Sequence, residues 1–251
     1  MVFLGYALAL VIGLSLGMLG GGGSILTVPL FVYVLGYDPK LAIAMSFPVV
    51  GATSLFGAAR QWRAGNIRFS KAFFFGCFAM VSAFLVGRAA RVLDGQLRLT
   101  ILAVVMLLAA ASMFRSAAKT PAALANAAPP AWLTLAVVGL GVGALTGLVG
   151  IGGGFLIVPA LVLFGRMEMP EAVGTSMLVI AMNCAGGLLG QQDTDRIPWV
   201  FVIKFVAIAM VGLVAGSRVA NRVDQRTLKR VLAVLLVLIA SFQIWQSRSL
   251  L

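Results

Sequence analysis

The residues of this chain that could do chemistry are small and uncharged. Gly20-Gly21-Gly22-Gly23-Ser24 precedes Ile25-Leu26-Thr27-Val28-Pro29, and Gly150-Ile151-Gly152-Gly153-Gly154 precedes Phe155-Leu156-Ile157-Val158-Pro159. Each is expected to open a helix. The first amide hydrogens of a helix lack partners, and its dipole places about half a positive charge there. Glycines carry no Cβ to hold a ligand away and tolerate positive φ. Two such starts facing each other would form an anion site without a buried Lys or Arg. The candidate binding residues are therefore Gly21, Gly22, Gly23 and Ser24 in one stretch, and Gly152, Gly153 and Gly154 in the other. Ser46, Thr175, Ser176 and Asn183, joined by Thr53 and Ser54, lie in the apolar segments that follow. Singly, such groups bond their own helix; together they can line a pathway.

The same types exclude other chemistry. There is no histidine, and Cys77 and Cys184 sit in apolar runs without a CxxC partner. Zinc and disulfide readings fail, and the cysteines read as packing residues. No acid–base pair falls within a span, so catalysis has little support, and no cofactor or metal is expected.

The elements that must position these residues occur twice. An offset of 130 aligns Gly13 with Gly143, Gly17 with Gly147, Ser46 with Ser176, Gln61 with Gln191, Arg88 with Arg218 and Asp94 with Asp224. The chain reads as a tandem duplication: a first repeat over 1–115, a linker over 116–130 and a second repeat over 131–251. The linker is rich in Ala, Pro and Asn. Five apolar segments are expected in the first repeat: Val2–Leu19, Ser24–Gly36, Leu41–Ala59, Phe69–Gly87 and Leu97–Phe114. The copy of the first carries Gly139, Gly143 and Gly147, and the other copies are Gly154–Gly165, Glu171–Leu189, Trp199–Ser217 and Leu228–Trp245. Ser24–Gly36 would reach only ~20 Å against ~30 Å of hydrocarbon, so it reads as a helix that starts inside the membrane. Small residues four apart, Ala9, Gly13 and Gly17 with Gly139, Gly143 and Gly147, form stripes for close helix approach.

Composition sets the solvent. The 251 residues are 61% hydrophobic and 10% charged, with a mean hydropathy of +1.08. Soluble domains run nearer 45–50% apolar and ~25% charged. The fold class is an all-α integral membrane protein in the lipid bilayer. Val2–Leu19 has no basic residues before it and reads as a retained span. The net charge of +12 sits in short connections and reads as orientation in the membrane, not as nucleic-acid binding.

Charge placement also bears on topology. If the first two segments made one broken crossing, the halves would be parallel and basic residues would divide 9 to 10 between the sides. If they form a hairpin, the halves are inverted. Arg60–Lys71, Arg115–Lys119, Arg166 and Arg218–Arg230 then place twelve basic residues on one side, against seven on the other. The bias favours inverted repeats with that side cytoplasmic and both termini outside. Inverted repeats with interrupted helices are a transporter plan with the site near the midplane.

The pattern G-x-x-G-G-G-G-S-x-L-x-V-P, then A-x-x-x-S, then Gly65-Asn66-Ile67, resembles the sulfite exporter TauE/SafE family. The second half carries G-x-x-G-I-G-G-G-F-L-x-V-P and Ala172-Val173-Gly174-Thr175-Ser176, and is the more typical copy. The resemblance spans essentially the whole chain. It implies secondary transport of a small anion, such as sulfite or an organosulfonate, across a bacterial inner membrane, with about eight spans in two four-span halves. The first copy departs at Met45, where the second has Thr175.

The expected function is export of such an anion by alternating access. An importer or channel for the same anions and a non-transporting membrane scaffold are the alternatives. A coupling proton or Na+ and a homodimer are compatible with the sequence, which fixes neither.

Overall fold

The computed structural model describes residues 2–21, 23–93, most of 97–108, 132–149, 154–191, 193–220 and the single positions 234, 237, 238 and 241. The linker, half of the first repeat's fifth segment and most of the second's lie outside the described residues.

Every regular element among the described residues is helical. α1 spans Val2–Leu19. α2 starts at Ser24 as an α-helix over Ser24–Pro29 and widens into a π-helical turn over Leu30–Val34. α3 is Pro39–Arg63 and α4 is Phe69–Ala89. In the second half, α5 is Trp132–Val149, α6 Gly154–Leu163, α7 Met169–Gly190 and α8 Trp199–Ala220. Local signals account for the boundaries. Asp38 caps α3 by accepting from the Lys40 and Leu41 amides, and Pro39 occupies the first turn, where its missing N–H costs nothing. Gly36 ends the first short helix at φ +72, and at the equivalent place in the second half Arg166 takes φ 49.

α3, α4, α7 and α8 are long and apolar enough to cross a bilayer. In the apolar stretches of α3 and α7, 67% and 61% of residues are buried, against 33% in those of α4 and α8. α3 and α7 are therefore the central pair, flanked by α4 and α8. The protein is a multi-pass integral membrane protein.

The small-residue stripes pack across the halves. A Cβ at Gly13 would fall 1.9 Å from Ala209 O, and one at Gly17 2.2 Å from Leu213 O. Exactly offset partners meet in the other pair, Gly143 at 2.2 Å from Ala79 O and Gly147 at 2.3 Å from Ala83 O. So α1 lies on α8 and α5 on α4, each pair running in the same direction. Ser82 Oγ also donates to Leu140 O at 2.8 Å. In lipid, only groups this small let backbones come so close.

α3 and α7 run in opposite directions. Gly187 sits against Phe47, Gly51 against Cys184 and Gly57 against Met177, so the contacts climb one helix as they descend the other. α4 runs with α7, placing Gly76 at Met182 and Gly186 at Met80.

Candidate functional site

The turn after α1 and the start of α6 touch. A Cβ on Gly21 would stand 1.9 Å from Gly154 O, and one on Gly154 would stand 2.6 Å from Gly21 O. Gly20 turns at φ +73 against Val173 of α7, and Gly154 also meets Ile180 of α7. The glycine stretches of the two halves thus meet each other and one face of α7. Gly22, Gly152 and Gly153 lie outside the described residues.

Packing already demands glycine at the described positions. At Gly23 a Cβ would lie 2.5 Å from both Ile12 O and Leu16 N, so this residue lets α2 fold back onto α1. The amides of the turn bond within it. Ser24 N donates to Gly21 O and Leu26 N to Gly23 O, both at 3.3 Å, the long end of the hydrogen-bond range.

The serines are engaged by their own helices. Ser24 Oγ donates to Gly21 O at 2.7 Å, Ser46 Oγ to Ile43 O at 2.7 Å, and Ser176 Oγ to Val173 O at 2.8 Å. Thr53 Oγ1 donates to Val49 O at 2.7 Å. Thr175 is different, because its Oγ1 accepts from the Arg68 amide at 3.1 Å across the halves.

Among the described residues, three buried side chains stand out for the opposite reason. Thr27 Oγ1, Ser54 Oγ and both polar atoms of Asn183 have no hydrogen-bond partner, and all three residues are fully buried. An unmade bond on a buried amide costs about 1–3 kcal/mol, so each calls for an explanation. Val173, Ser176, Ile180 and Asn183 fall on one face of α7 by helical spacing. That is the face that meets Gly20 and Gly154.

Sequence reasoning missed two features. Thr27 was hidden because a lone threonine in an apolar run reads as a packing residue. The second is a polar latch at one end of α7. Arg68 Nε donates to Glu171 Oε1 at 2.9 Å, and its Nη2 also engages that oxygen. Lys71 Nζ donates to Gly165 O at 2.8 Å, and Gly174 packs under Asn66 O. Asn66 Nδ2 in turn donates to Gln61 Oε1 at 3.0 Å. The Gly65-Asn66-Ile67 turn of the first half therefore seats the start of α7. The hydrogen bond and charge of Glu171 hold the Arg68 guanidinium above its ordinary pKa. Glu171, the acidic residue in the first turn of α7, was the available signal.

No group of three or more His, Cys, Asp or Glu that could hold a metal occurs among the described residues. A surface hollow of about 440 Å³, lined by Ser70, Phe73, Phe74 and Trp132, lies between α4 and α5, apart from the glycine turns.

Long apolar helices packed around a buried polar face define the class of multi-pass membrane proteins. The chain is a member of the sulfite exporter TauE/SafE family, whose model matches residues 5–242. It is 32% identical over 241 residues to a probable membrane transporter protein of Xylella fastidiosa strain 9a5c, covering 94% of this chain and 92% of that one. It is also 27% identical to the probable membrane transporter protein YdhB of Bacillus subtilis, over 87% and 90% of the two chains. The probable membrane transporter protein MJ0441 of Methanocaldococcus jannaschii is 22% identical over 91% and 90%. No solved structure gives a significant match.

Proposed function

We propose that this protein is a secondary transporter of a small anion, sulfite or an organosulfonate, exporting it across a bacterial inner membrane by alternating access. The observation that carries the reading is the meeting of the two glycine stretches against one buried polar face of α7. Non-helical backbone at membrane depth is tolerated where it is buried in protein or lines a cavity. Gly21, Gly22, Gly23 and Ser24 from the first repeat (1–115) and Gly152, Gly153 and Gly154 from the second (131–251) would bound the site. Ser46, Thr175, Ser176 and Asn183 would line it.

The halves are proposed to be inverted. Equivalent helices related by an axis in the membrane plane run in opposite directions, as α3 and α7 do. α1 runs with α8, in the direction of α3, and this supports α1–α2 as a hairpin rather than one broken crossing. Labelling tests this: with the native cysteines replaced, Ala64→Cys and Asp195→Cys are expected to react from opposite sides of the membrane. Reaction from one side overturns the inversion. Function is tested by counterflow in proteoliposomes, where saturable exchange of sulfite or methanesulfonate above protein-free vesicles is expected. A flux that neither saturates nor shows counterflow would make the protein a channel.

A further inference from the structure

We infer that the anion crosses in a singly charged, proton-bearing form, a hydrogen oxyanion whose O–H donates to Asn183 while another of its oxygens accepts from the same side chain. The inference rests on the reading that the glycine turns bound the anion site.

The first observation is the absence of charge. Stretches 1–37, 41–59, 131–165 and 172–192 contain no Asp, Glu, Lys or Arg, and the chain has no His. They supply α1, α2, α5, α6 and all but the ends of α3 and α7. These four stretches therefore offer an anion beside Gly21 and Gly154 helix dipoles but no charged side chain of their own. Desolvation cost grows as the square of the charge, so a dianion costs about four times what a monoanion does. A buried ion without a counter-charge responds by changing its protonation state. For an oxyanion that means keeping a proton.

The second observation is Asn183. Its amide nitrogen and its carbonyl oxygen are both unpartnered, in a side chain with no exposed surface. A carboxamide oxygen can only accept. A fully deprotonated oxyanion brings acceptors alone, so it would satisfy Nδ2 and set its own oxygens against Oδ1. A hydrogen oxyanion satisfies both atoms.

The titratable groups on α7 and on the elements packed against it lie elsewhere. Glu168, Glu171, Arg68 and Lys71 gather at one end of α7 with Arg60 and Arg63 of the adjoining end of α3, while Arg88 lies beside Gly190 at the other end and the buried Arg98 engages Ala90 O beyond α4. Cys184 belongs to α7 and Cys77 to α4. Of these only Cys184 borders the face of Val173, Ser176, Ile180 and Asn183, and it packs on Gly51 of α3. The proton accordingly rides on the substrate. A dianion takes it from water on one side, crosses carrying one negative charge, and returns it to water on the other. No bond to the protein forms.

The test uses full-length protein in proteoliposomes, with protein-free vesicles as the blank. Three probes are compared: sulfite, whose second ionisation falls near neutral pH; methanesulfonate, singly charged without an O–H; and sulfate, doubly charged throughout. At constant total sulfite, its initial rate is expected to fall about tenfold per pH unit above that ionisation, following the protonated fraction. The methanesulfonate rate should not follow pH, and sulfate should hardly move. In Asn183→Leu the preference for sulfite over methanesulfonate should fall about tenfold, the value of one hydrogen bond to a charged partner. If that variant does not fold, Asn183→Ala, which also removes both the donor and the acceptor, provides the same comparison. A sulfite rate that stays level or rises with pH overturns the inference, as does sulfate moving as fast as sulfite or an unchanged preference in the variant. If no anion moves above the blank, the transport reading itself falls, and the inference with it.

Discussion

α3 and α7 align at the offset of 130 residues, lie together at the centre and differ where it matters. α7 carries Thr175, Asn183 and Cys184 where α3 carries Met45, Thr53 and Ser54. Thr53 satisfies itself on Val49 O, whereas Asn183 has no partner. Their surroundings diverge the same way. The start of α7 is tied to the first half by Arg68, Lys71 and the Thr175 hydroxyl. Around α8 the second half presents aromatic rings instead: Phe31 packs edge-on to Phe205 at 5.2 Å and to Phe201 at 6.2 Å, and Tyr37 leans on Phe201 at 6.0 Å. Both helices keep a buried unpartnered side chain, a hydroxyl at Ser54 on α3 and a full carboxamide at Asn183 on α7.

The largest effect should come from where the halves remain alike. Gly13→Val and Gly143→Val each drive a branched side chain into a facing backbone, and overpacking of this kind costs about 1–3 kcal/mol or more. Both should lower the yield of monodisperse protein and its melting temperature, while Gly141→Val, with nothing within 4 Å, should not. Equal losses at Gly13 and Gly143 would sharpen the symmetry; a loss at one alone would break it.

The next effect separates α3 from α7. Asn183→Leu removes unpartnered polar atoms, so stability should hold or rise by about 1 kcal/mol while anion transport falls about tenfold. Thr53→Val, at the equivalent position, should leave transport within a few-fold. Matching transport losses, measured by counterflow on protein of equal stability, would place the two helices on the same footing.

A smaller effect is expected at the latch. Arg68 is 60% exposed and Glu171 25%, so their pair is screened by solvent and Glu171→Gln should cost under about 1 kcal/mol in thermal unfolding. The cost should shrink further in high salt. Phe205→Ala, in the aromatic cluster of the other half, should lower stability with no salt dependence. A salt-insensitive latch would remove the contrast.

The smallest effect is a gain. Arg166 holds the left-handed conformation that its counterpart Gly36 holds without strain. Arg166→Gly should raise stability by up to about 1 kcal/mol, whereas Gly36→Ala should lower it by a similar amount.

Much of this was legible in one dimension. Hydropathy and the scarcity of charge required a helical membrane protein, because lipid leaves backbone groups no partner but each other. The apolar runs marked α1, α3, α4, α7 and α8 to within a few residues, since their ends carry Asp38, Pro39, Arg63 and the Gly65-Asn66 turn. The repeat and the four-residue glycine stripes were visible because packing through backbones leaves a periodic mark. Which helix each stripe meets was not, for a stripe only records that something comes close. That Gly13 lies under Ala209 and Gly143 under Ala79 is a long-range fact of the folded chain. Nor could the sequence divide the polar residues. Ser46, Ser176 and Asn183 look alike as polar letters in an apolar run. The three-dimensional surroundings returned the two serine hydroxyls to their own carbonyls and left the longer amide of Asn183, which cannot bend back as readily, without a partner. Sequence determined the solvent and the elements, both local properties of composition and period; tertiary structure alone decided which polar groups stayed unsatisfied, because satisfaction depends on neighbours that sequence distance does not predict.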